Sequence, residues 1–415
     1  MRSPFLSIAS LSCALVLVGG SVCAQPAAST VSAERLKRLD TILQKYVDDN
    51  SVAGIVALVL QDGKPVYERA SGWSDKEAGR KMTTNTVFRI ASQSKAFTSV
   101  AVLQLVEEGK IGITEPVSHF IQTFAKTTVA VGGNMVPAKR QITIADLLTH
   151  TAGISYGTDP LVAPLYAAKG LGPAAGMGWY TADKSEPICD SMERLGTLPF
   201  VAQPGESFVY GYNTDILGCV VEKASGMSLA DFIRTRITEP LGLKDTEFYL
   251  PAADRDRLAT VYGDDDRGKI VRSPEGAKGQ GHYVEGPRKS YSGGAGMLST
   301  AHDYARFLEA IRRGGALDGV RILGSRTVEL MTTNQVGKIR GDNGLGFGFG
   351  FQTVDRYGAA GMAGVGSFGW GGAYGSTYDV DPSARLVKVL MIQLLPNRTD
   401  IQDKFSNGVY QAIVN

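Results

Sequence analysis

The sequence lacks any surplus of charge. Its 415 residues include 43 Lys and Arg against 41 Asp and Glu, which leaves a formal net charge of +2. No run of basic residues and no basic stripe interleaved with aromatic side chains is present. Nucleic acids and anionic membranes attract proteins through such positive surfaces. The sequence therefore predicts no nucleic-acid partner, and it gives no electrostatic reason for binding to a membrane.

Histidine is equally scarce. The chain has four histidines, which are dispersed and never lie at the spacing of metal ligands: His119, His150, His282 and His302. We therefore expect no metal site, and no motif implies a cofactor. His150 lies where a predicted helix passes into a loop, and we interpret it as structural.

Long hydrophobic runs are absent except at the N-terminus. Arg2 precedes an apolar run from Phe5 to Val18, and the small residues that follow end at Ala24. This pattern is typical of a signal peptide over residues 1–24 that is cleaved after Ala24, and it predicts a periplasmic or secreted protein. A membrane anchor is the alternative, but the run is short and contains three serines. We expect no stable membrane insertion after cleavage.

Cysteine is rare too, and two of the four cysteines lie in the predicted signal peptide. Cys189 and Cys219 remain in the mature chain. In an oxidising compartment these two side chains are able to pair. The alternative is that both are small buried hydrophobic residues without a bond.

Strand patterns lie at both ends of the mature chain, and the middle is helical. The predicted terminal elements are a helix over Glu34–Val47, a hairpin of Gly54–Leu60 and Pro65–Ala70, strands at Phe347–Val354, Tyr374–Val380 and Leu386–Leu394, and a helix over Asp400–Val414. We interpret the alternation of glycines over Gly344–Gly350 as part of a strand whose small face packs against a helix. In the middle, Ser94–Glu108 is apolar nearly all round, as a buried helix would be.

Three capping boxes in the middle of the chain predict helix starts, and they begin at Thr143, Ser228 and Thr300. The aperiodic stretch Ser155–Pro187 predicts a functional loop.

These patterns predict an α+β fold, an α/β sandwich. Strands from the two chain ends share one antiparallel sheet that is flanked by helices, and a helical subdomain is inserted between them. The sheet subdomain comprises residues 25–85 and 310–415, and the mainly helical subdomain comprises residues 86–309. A cleft is expected where the two layers meet.

One tetrapeptide carries the chemistry of a nucleophile. Ser92-Gln93-Ser94-Lys95 places a serine and a lysine three residues apart, on the same face of a helix. A serine hydroxyl needs a base to take its proton, and a desolvated lysine can serve. The N-terminus of a buried helix also favours developing negative charge. We therefore predict that Ser92 is a nucleophile and that Lys95 is its partner.

A rival signal is the pentapeptide Gly153-Ile154-Ser155-Tyr156-Gly157, which fits the nucleophile elbow of α/β-hydrolases. That elbow needs a buried strand before it and a helix after it. Here the preceding segment, Ile144–Leu148, is helical by pattern, and a turn-rich segment follows. We therefore favour Ser92 over Ser155.

Five motifs in order give the chain a resemblance to a known family. The runs are Phe88–Lys95, Leu147–Gly153, Gln203–Tyr210, Ser292–Thr300 and Gly369–Ala373. The chain resembles the serine β-lactamase-like family, which includes class C β-lactamases, D-Ala-D-Ala peptidases and family VIII carboxylesterases. The resemblance covers nearly the whole mature chain and implies a β-lactamase/transpeptidase-like fold.

The resemblance also implies residue roles. Ser92 is the acylated nucleophile, Lys95 is its hydrogen-bonded partner, and Tyr210 is a general base and acid. For Tyr210 the alternative is an aromatic core residue. Gly371 and Gly372 let the substrate approach a strand, and the N–H groups of Ser92 and Ala373 form the oxyanion hole.

Two departures from the β-lactamase pattern bear on the substrate. The second motif lacks its usual Tyr-x-Asn, because Tyr212 occupies the third position and Asn213 follows one residue late, where we expect a helix N-cap. Trp370 replaces the cation of the third motif. We assign Tyr212 and Trp370 to substrate binding and expect an apolar cleft without a charged partner for a carboxylate.

The sequence therefore predicts a serine hydrolase that acts on a small-molecule ester or amide, and it indicates no particular oligomeric state. A family VIII-type carboxylesterase for short acyl esters fits the two departures best. The alternatives are a β-lactamase or D-amino acid/peptide amidohydrolase of the same family, and a catalytically silent relative that binds peptidoglycan.

Overall fold

A computed structural model of the chain describes Met1 and residues 30–172, 183–265 and 269–414. The predicted cleavage site lies outside these residues. The largest element is an eight-stranded antiparallel sheet with the order β12-β13-β14-β15-β16-β1-β2-β3, and four two-stranded sheets accompany it. In chain order the strands are β1 Gly54–Gln61, β2 Lys64–Asp75, β3 Arg80–Lys81, β4 Phe88–Arg89, β5 Thr128–Val131, β6 Asn134–Pro137, β7 Tyr262–Asp264, β8 Ile270–Arg272, β9 Leu298–Ser299, β10 Ala316–Leu317, β11 Val320–Arg321, β12 Leu345–Phe347, β13 Gln352–Val354, β14 Phe368–Gly371, β15 Thr377–Asp381 and β16 Leu386–Met391.

Helices cover both faces of the large sheet, and nine of the twelve α-helices among the described residues lie between β3 and β12. The α-helices are α1 Ala33–Leu36, α2 Arg38–Asp48, α3 Ser94–Glu107, α4 Ile144–Leu148, α5 Ala163–Ala168, α6 Ile188–Leu195, α7 Asn213–Ser225, α8 Leu229–Ile233, α9 Glu239–Leu241, α10 Ala301–Arg312, α11 Ser325–Thr332 and α12 Ile401–Tyr410. Within the described residues, no helix combines the length and the apolar character that crossing a membrane requires.

Strands from the two chain ends meet in the middle of the sheet. Strand β1 pairs with β2 on one side and with β16 on the other, so that Val56 lies opposite Met391. The predicted fold class is therefore confirmed. Both faces of β1 are buried, which explains why its sequence is apolar without alternation.

The sheet separates two hydrophobic cores. Val56 and Leu58 of β1 face the larger core, which contains α3 and α10, whereas Ile55 and Ala57 face a smaller core under α2 and α12. Strand β4 pairs with β9 at the edge of the larger core, just before the segment that carries Ser92. The catalytic candidates thus lie on the side of the sheet that carries the helical segment.

Most elements predicted at the N-terminal end are confirmed. The helix predicted over Glu34–Val47 occurs as α1 and α2, which meet at Lys37, and the hairpin occurs as β1 and β2. Each of the three predicted capping boxes begins a helix. The side chains of Thr143, Ser228 and Thr300 accept hydrogen bonds from the backbone N–H three residues on, at 3.3, 3.0 and 3.2 Å.

The single strand predicted over Phe347–Val354 is wrong. This stretch contains the end of β12, a turn and β13, which pair with each other as a hairpin. Gly350 has a φ of +96° in the turn, a conformation that suits glycine. A Cβ atom at this position would lie 2.5 Å from Ser99 Oγ of α3, so the expected close packing against a helix does occur. In the predicted loop Ser155–Pro187 the described part includes α5, and residues 173–182 lie outside the description.

The proposed subdomain division stays a prediction. All eight strands of the large sheet lie within residues 25–85 or 310–415, as that division requires. However, the boundary at residues 309 and 310 lies inside α10, which packs on β16 and β1. Helix α10 therefore belongs to the layer that covers the sheet.

Cys189 and Cys219 form a disulfide, with their Cα atoms 4.9 Å apart. Of the two alternatives considered for this pair, the bonded one is correct. The bond joins α6 to α7, and α7 begins three residues after Tyr210. It thus fixes the helix that follows the second motif against its neighbour.

We expect the double variant Cys189→Ala/Cys219→Ala to be less stable than the wild type by about 2–4 kcal/mol, because a cross-link restricts the unfolded chain. The free energy of unfolding in urea measures the effect. Reductant should destabilise the wild type by a similar amount and leave the double variant unchanged. Equal unfolding midpoints for the wild type and the variant under oxidising conditions would contradict a stabilising role.

Candidate active site

Ser92 lies in a tight turn between a strand and a buried helix. Strand β4 ends at Arg89, a 3-10 turn spans Ala91–Gln93, and α3 follows from Ser94. Ala91 has a φ of +44°, a strained value for a residue with a side chain, which the packing around it must hold in place. Ser92 is half-buried, whereas both its neighbours are fully buried. The turn therefore presents the Ser92 side chain to the opening of the cleft.

Lys95 lies one turn further, inside α3, and only 1% of its surface is exposed. Its Nζ donates hydrogen bonds to Ser92 Oγ at 3.3 Å, to the Tyr156 hydroxyl at 3.0 Å and to the Gly294 carbonyl at 2.7 Å. These three acceptors match the three donors of an ammonium group. A neutral amine keeps two of them as acceptors and turns its lone pair to Ser92. The same geometry therefore suits both states of a group that takes and returns a proton.

Tyr156 was missed by the sequence analysis, which treated it as a spacer in the rival Gly-x-Ser-x-Gly pattern. Burial raises the pKa of the Tyr156 hydroxyl well above its usual value, and the neighbouring Tyr210 and Asp215 add to this effect. It stays a neutral phenol and an acceptor for Lys95. The available signal was its place, three residues after the second family run, Leu147–Gly153.

The fourth family run lies beneath the lysine and joins it to α7. Gly294, whose carbonyl accepts from Lys95, donates its own N–H to Asp215 Oδ1 at 3.2 Å, and Ser292 Oγ donates to the same oxygen at 2.5 Å. A Cβ atom at Gly294 would lie 2.5 Å from Asp215 Oδ2, so only glycine permits this approach. Burial raises the pKa of Asp215, and its bonds with Ser292 and its attraction to Lys95 oppose the shift.

Tyr210 lies beside Lys95, but its hydroxyl points elsewhere. Lys95 Nζ is 4.6 Å from the centre of the Tyr210 ring, and the Tyr210 hydroxyl accepts a hydrogen bond of 3.0 Å from Trp370 Nε1. The two predicted residues are thus brought together, but the phenol that accepts a hydrogen bond from Lys95 is that of Tyr156. Trp370 Nε1 holds the Tyr210 hydroxyl in place.

His150 supports Tyr210 from behind. The two rings lie 4.6 Å apart, and only 1% of the His150 surface is exposed. Asn213 Nδ2 lies 2.9 Å from His150 Nδ1 and within hydrogen-bond distance of the carbonyls of Ile154 and Val209. Burial lowers the pKa of His150, and Lys95 and Arg340 add to the effect, so the ring stays neutral. This placement agrees with a structural role.

Asn213 and Tyr212 differ from expectation. Helix α7 begins at Asn213, and the N-cap position is held by Tyr212, so Asn213 is not the N-cap. Only 2% of the Tyr212 surface is exposed, and its hydroxyl donates to the Leu171 carbonyl at 3.0 Å. The Tyr212 side chain is therefore buried inside the protein, and this placement does not support its predicted role in binding substrate.

The third motif lies beside the turn that carries Ser92. Strand β14 ends at Gly371, and Gly372 begins a turn in which its N–H donates to the Ser376 carbonyl at 2.8 Å. A Cβ atom at Gly372 would lie 2.6 Å from the Ile90 carbonyl oxygen. Glycine therefore lets the turn that contains Ala373 pack against the turn that contains Ser92. The predicted oxyanion donors belong to these two adjacent turns.

Arg340 is a second residue that the sequence analysis missed. Its guanidinium lies 4.7 Å from the Phe208 ring, 5.6 Å from the Phe347 ring and 5.7 Å from the Trp370 ring. The structure thus places a cation near Trp370 that the five motifs do not indicate. Nothing in the five motifs signals Arg340, because it comes from the loop between α11 and β12.

Ser155 is not placed as a nucleophile. It is buried, its Oγ accepts a hydrogen bond from the Gly157 N–H at 3.2 Å, and helix α4, not a strand, precedes it. In the part of the chain that the structure describes, no group of His, Cys, Asp and Glu side chains is arranged to hold a metal.

The sequence and the structure agree with one family. The profile of the beta-lactamase family matches residues 39–409, nearly the whole chain. The chain belongs to the beta-lactamase family. The resemblance seen in the five motifs is therefore confirmed, and the family name describes ancestry and fold without fixing the substrate.

Relatives of this beta-lactamase-family chain include esterases and peptidases. Esterase EstB of Burkholderia gladioli is 31% identical over 382 residues, which cover 88% of this chain and 92% of EstB. A putative D-alanyl-D-alanine carboxypeptidase of Salmonella typhimurium is 28% identical and covers 88% of this chain and 83% of its own length. The solved structure of EstCE1, described as a hydrolase with promiscuous acyltransferase activity, superposes with a TM-score of 0.76 at 28% identity, over 91% of this chain and 99% of EstCE1. This family member is a serine hydrolase with the β-lactamase fold.

We expect Tyr156→Phe to lower kcat/KM about 10-fold or more, because a buried ammonium donor loses its acceptor at a cost of ~1–3 kcal/mol. Tyr166→Phe is the matched control, since the Tyr166 hydroxyl is also buried and has no hydrogen-bond partner among the described residues. Steady-state hydrolysis of a chromogenic ester measures both variants. An equal loss in the two variants would show that the Tyr156 hydroxyl has no special function.

Proposed function

We propose that this protein is a carboxylesterase for short acyl esters that forms an acyl-enzyme on Ser92. Trp370 carries the proposal, because its indole replaces the cation of the third motif and donates its N–H to the Tyr210 hydroxyl. This wall of the cleft is aromatic: the Tyr210 and Trp370 rings lie 5.5 Å apart, and the Phe347 ring lies 5.3 Å from Trp370. Such a wall suits neutral acyl and alkyl groups. The likeness to EstB supports the same assignment.

The proposed reaction has two acyl-transfer steps. Ser92 Oγ attacks the ester carbonyl carbon while its one proton passes to a neutral Lys95 amine, which in turn replaces the proton that the Tyr210 hydroxyl gives to the leaving alcohol. The N–H groups of Ser92 and Ala373 stabilise the oxyanion. The bond to the leaving alcohol then breaks, and the alcohol takes the proton from the Tyr210 hydroxyl. A water molecule then attacks the carbonyl carbon of the acyl-enzyme with the same proton transfers. Release of the acid restores free Ser92.

Specific contacts support these roles. Lys95 Nζ lies 3.3 Å from Ser92 Oγ, within reach of its proton, and 4.6 Å from the centre of the Tyr210 ring. The indole N–H of Trp370 is a further donor to the Tyr210 oxygen. Tyr156 and Gly294 hold the lysine in place throughout.

Export is part of the proposal. The N-terminal apolar run favours a signal peptide that is removed after Ala24, which places the mature enzyme in the periplasm or outside the cell. The disulfide between Cys189 and Cys219 supports this assignment, since such bonds persist in oxidising compartments.

The nucleophile is tested by Ser92→Ala, which should abolish ester turnover and labelling by a fluorophosphonate probe. Ser155→Ala is the matched control and should keep most of the activity, although its buried hydroxyl makes the variant somewhat less stable. Melting temperature and intact-protein mass after labelling complete the comparison. A probe adduct on Ser155 would overturn the assignment. The absence of any adduct on the wild type would favour the catalytically silent alternative.

Substrate class is tested with p-nitrophenyl acetate and butyrate against nitrocefin on the purified enzyme. We expect a higher kcat/KM for the esters, because the amide side chain of a β-lactam finds no asparagine in the second motif. Tyr212 stands at that position and turns to the Leu171 carbonyl, while Asn213 bonds His150. Efficient nitrocefin hydrolysis without esterase activity would contradict this expectation and favour the β-lactamase alternative.

A further inference from the structure

A small cavity lies between α8 and two chain segments, residues 246–249 and residues 288–297. Its volume is about 140 Å³, below the ~300–1,000 Å³ of pockets that hold drug-sized ligands. Ser92, Lys95 and Tyr210 are not among the described residues that line it. The cavity is therefore separate from the catalytic residues, and it suits a small ligand.

Glu247 brings a carboxylate to this cavity. Two backbone hydrogen bonds with Leu298, of 3.2 and 2.7 Å, fix its main chain. Its half-buried side chain makes no ion pair within 4.0 Å with any residue that the structure describes. Burial raises the pKa of the Glu247 carboxyl to about 7, while the charge of Arg288 opposes the shift. A half-buried carboxylate without a close partner gains from a cation that donates hydrogen bonds to it.

Arg288 brings the opposite charge to the same cavity. Its Nη2 donates to the Leu250 carbonyl at 3.2 Å, and its guanidinium lies 5.4 Å from the Tyr249 ring. These two contacts hold the side chain, although it is exposed. Arg288 also makes no ion pair within 4.0 Å over the described ranges, so its nitrogens and the Glu247 oxygens lie farther apart than that. The two charges therefore face one cavity without neutralising each other directly.

The other charged residues of the lining, Asp231 and Arg234, have partners. Asp231 accepts a hydrogen bond from Ser228 Oγ at 2.8 Å and pairs with Arg234 at 3.0 Å. Arg234 pairs with Glu239 at 2.5 Å as well. Among the described residues of the lining, the charges left without an ion pair are thus one acid and one base.

Aromatic rings form the apolar part of the cavity. The Tyr291 ring lies 5.3 Å from the Phe248 ring and 6.1 Å from the Tyr249 ring. The Tyr291 hydroxyl donates to the Arg288 carbonyl at 2.7 Å, which fixes the ring beside the charged pair. A rigid aromatic surface next to two opposite charges suits a ligand with an ammonium, a carboxylate and an aliphatic group.

We propose that this cavity binds a free α-amino acid with a small aliphatic side chain. Glu247 accepts hydrogen bonds from the ammonium group, Arg288 donates to the carboxylate, and the aliphatic group packs on the Tyr291 ring. A zwitterion satisfies both charges at once, whereas a simple cation or a simple anion leaves one of them unsatisfied. The inference is independent of the ester hydrolysis proposed above, because the cavity shares no residue with the proton relay.

The test uses probes with one carbon skeleton and different charges. Each enantiomer of valine is compared with isobutylamine, which lacks the carboxylate, and with isovalerate, which lacks the ammonium. Isothermal titration calorimetry on the wild type gives Kd at a pH above the pKa of Glu247 and below that of an amino group. At least one enantiomer of valine should have a Kd about 10-fold or more below those of both analogues, because each analogue lacks one charge-assisted hydrogen bond.

Two variants assign the binding to this cavity. Glu247→Gln and Arg288→Met should each raise the Kd of valine about 10-fold or more. Glu193→Gln and Lys289→Met remove the same charges outside the lining and are the matched controls. Glu193 is half-buried on α6 and pairs with Lys223 at 3.2 Å, and Lys289 is exposed next to Arg288 in the sequence. Both controls should keep the wild-type Kd.

The wild-type comparison decides the proposal even if a variant does not fold. If neither enantiomer of valine binds more tightly than isobutylamine and isovalerate, the proposal is overturned, and a direct pairing of Glu247 with Arg288 in solution is favoured. An unchanged Kd in Glu247→Gln or Arg288→Met would also overturn it, because valine would then bind elsewhere. Equal weakening in the control variants would have the same consequence, since the effect would be one of net charge.

Discussion

The site depends on one buried lysine. Lys95 is almost completely removed from water, and a buried polar group is tolerated only when hydrogen bonds replace its hydration. Its three acceptors come from three separate parts of the chain: Ser92 in the turn before α3, Tyr156 after α4, and Gly294 in the loop before β9. Satisfying one nitrogen therefore brings two family runs and the segment that follows a third run together around the nucleophile.

A second layer of contacts holds those acceptors. Asp215 binds the loop of Gly294 from below, His150 and Asn213 lie behind Tyr210, and Trp370 holds its hydroxyl from the front. Asp215 and Asn213 both belong to the first turn of α7, which follows Tyr210 directly. The start of α7 thus supports Lys95 through Asp215, which binds the Gly294 loop. It supports Tyr210 through Asn213, which contacts His150 behind the Tyr210 ring.

Sequence patterns predicted the parts of the molecule that local physics determines. The helix starts at Thr143, Ser228 and Thr300 depend on one side chain and one backbone N–H each, and the hairpin of β1 and β2 depends on a turn between two apolar runs. The family motifs pointed to Ser92, Lys95, Tyr210 and Trp370, which the structure brings together. Tyr156 and Arg340 could not be found in this way, because their contacts are with residues that lie far away in the sequence. Tyr212 was misassigned for a related reason, since its direction is set by the distant Leu171 carbonyl.

The central position of β1 has a consequence for the order of folding. Strand β1 is made long before its neighbour β16, and the pairing of Val56 with Met391 exists only once β16 has been synthesised. Until then, one side of β1 is an unpaired apolar edge that is prone to aggregation. Closure over so long a stretch of chain is slow. The large sheet is therefore completed only after the whole segment from β1 to β16 has left the ribosome, and β1 lacks its second neighbour until that point.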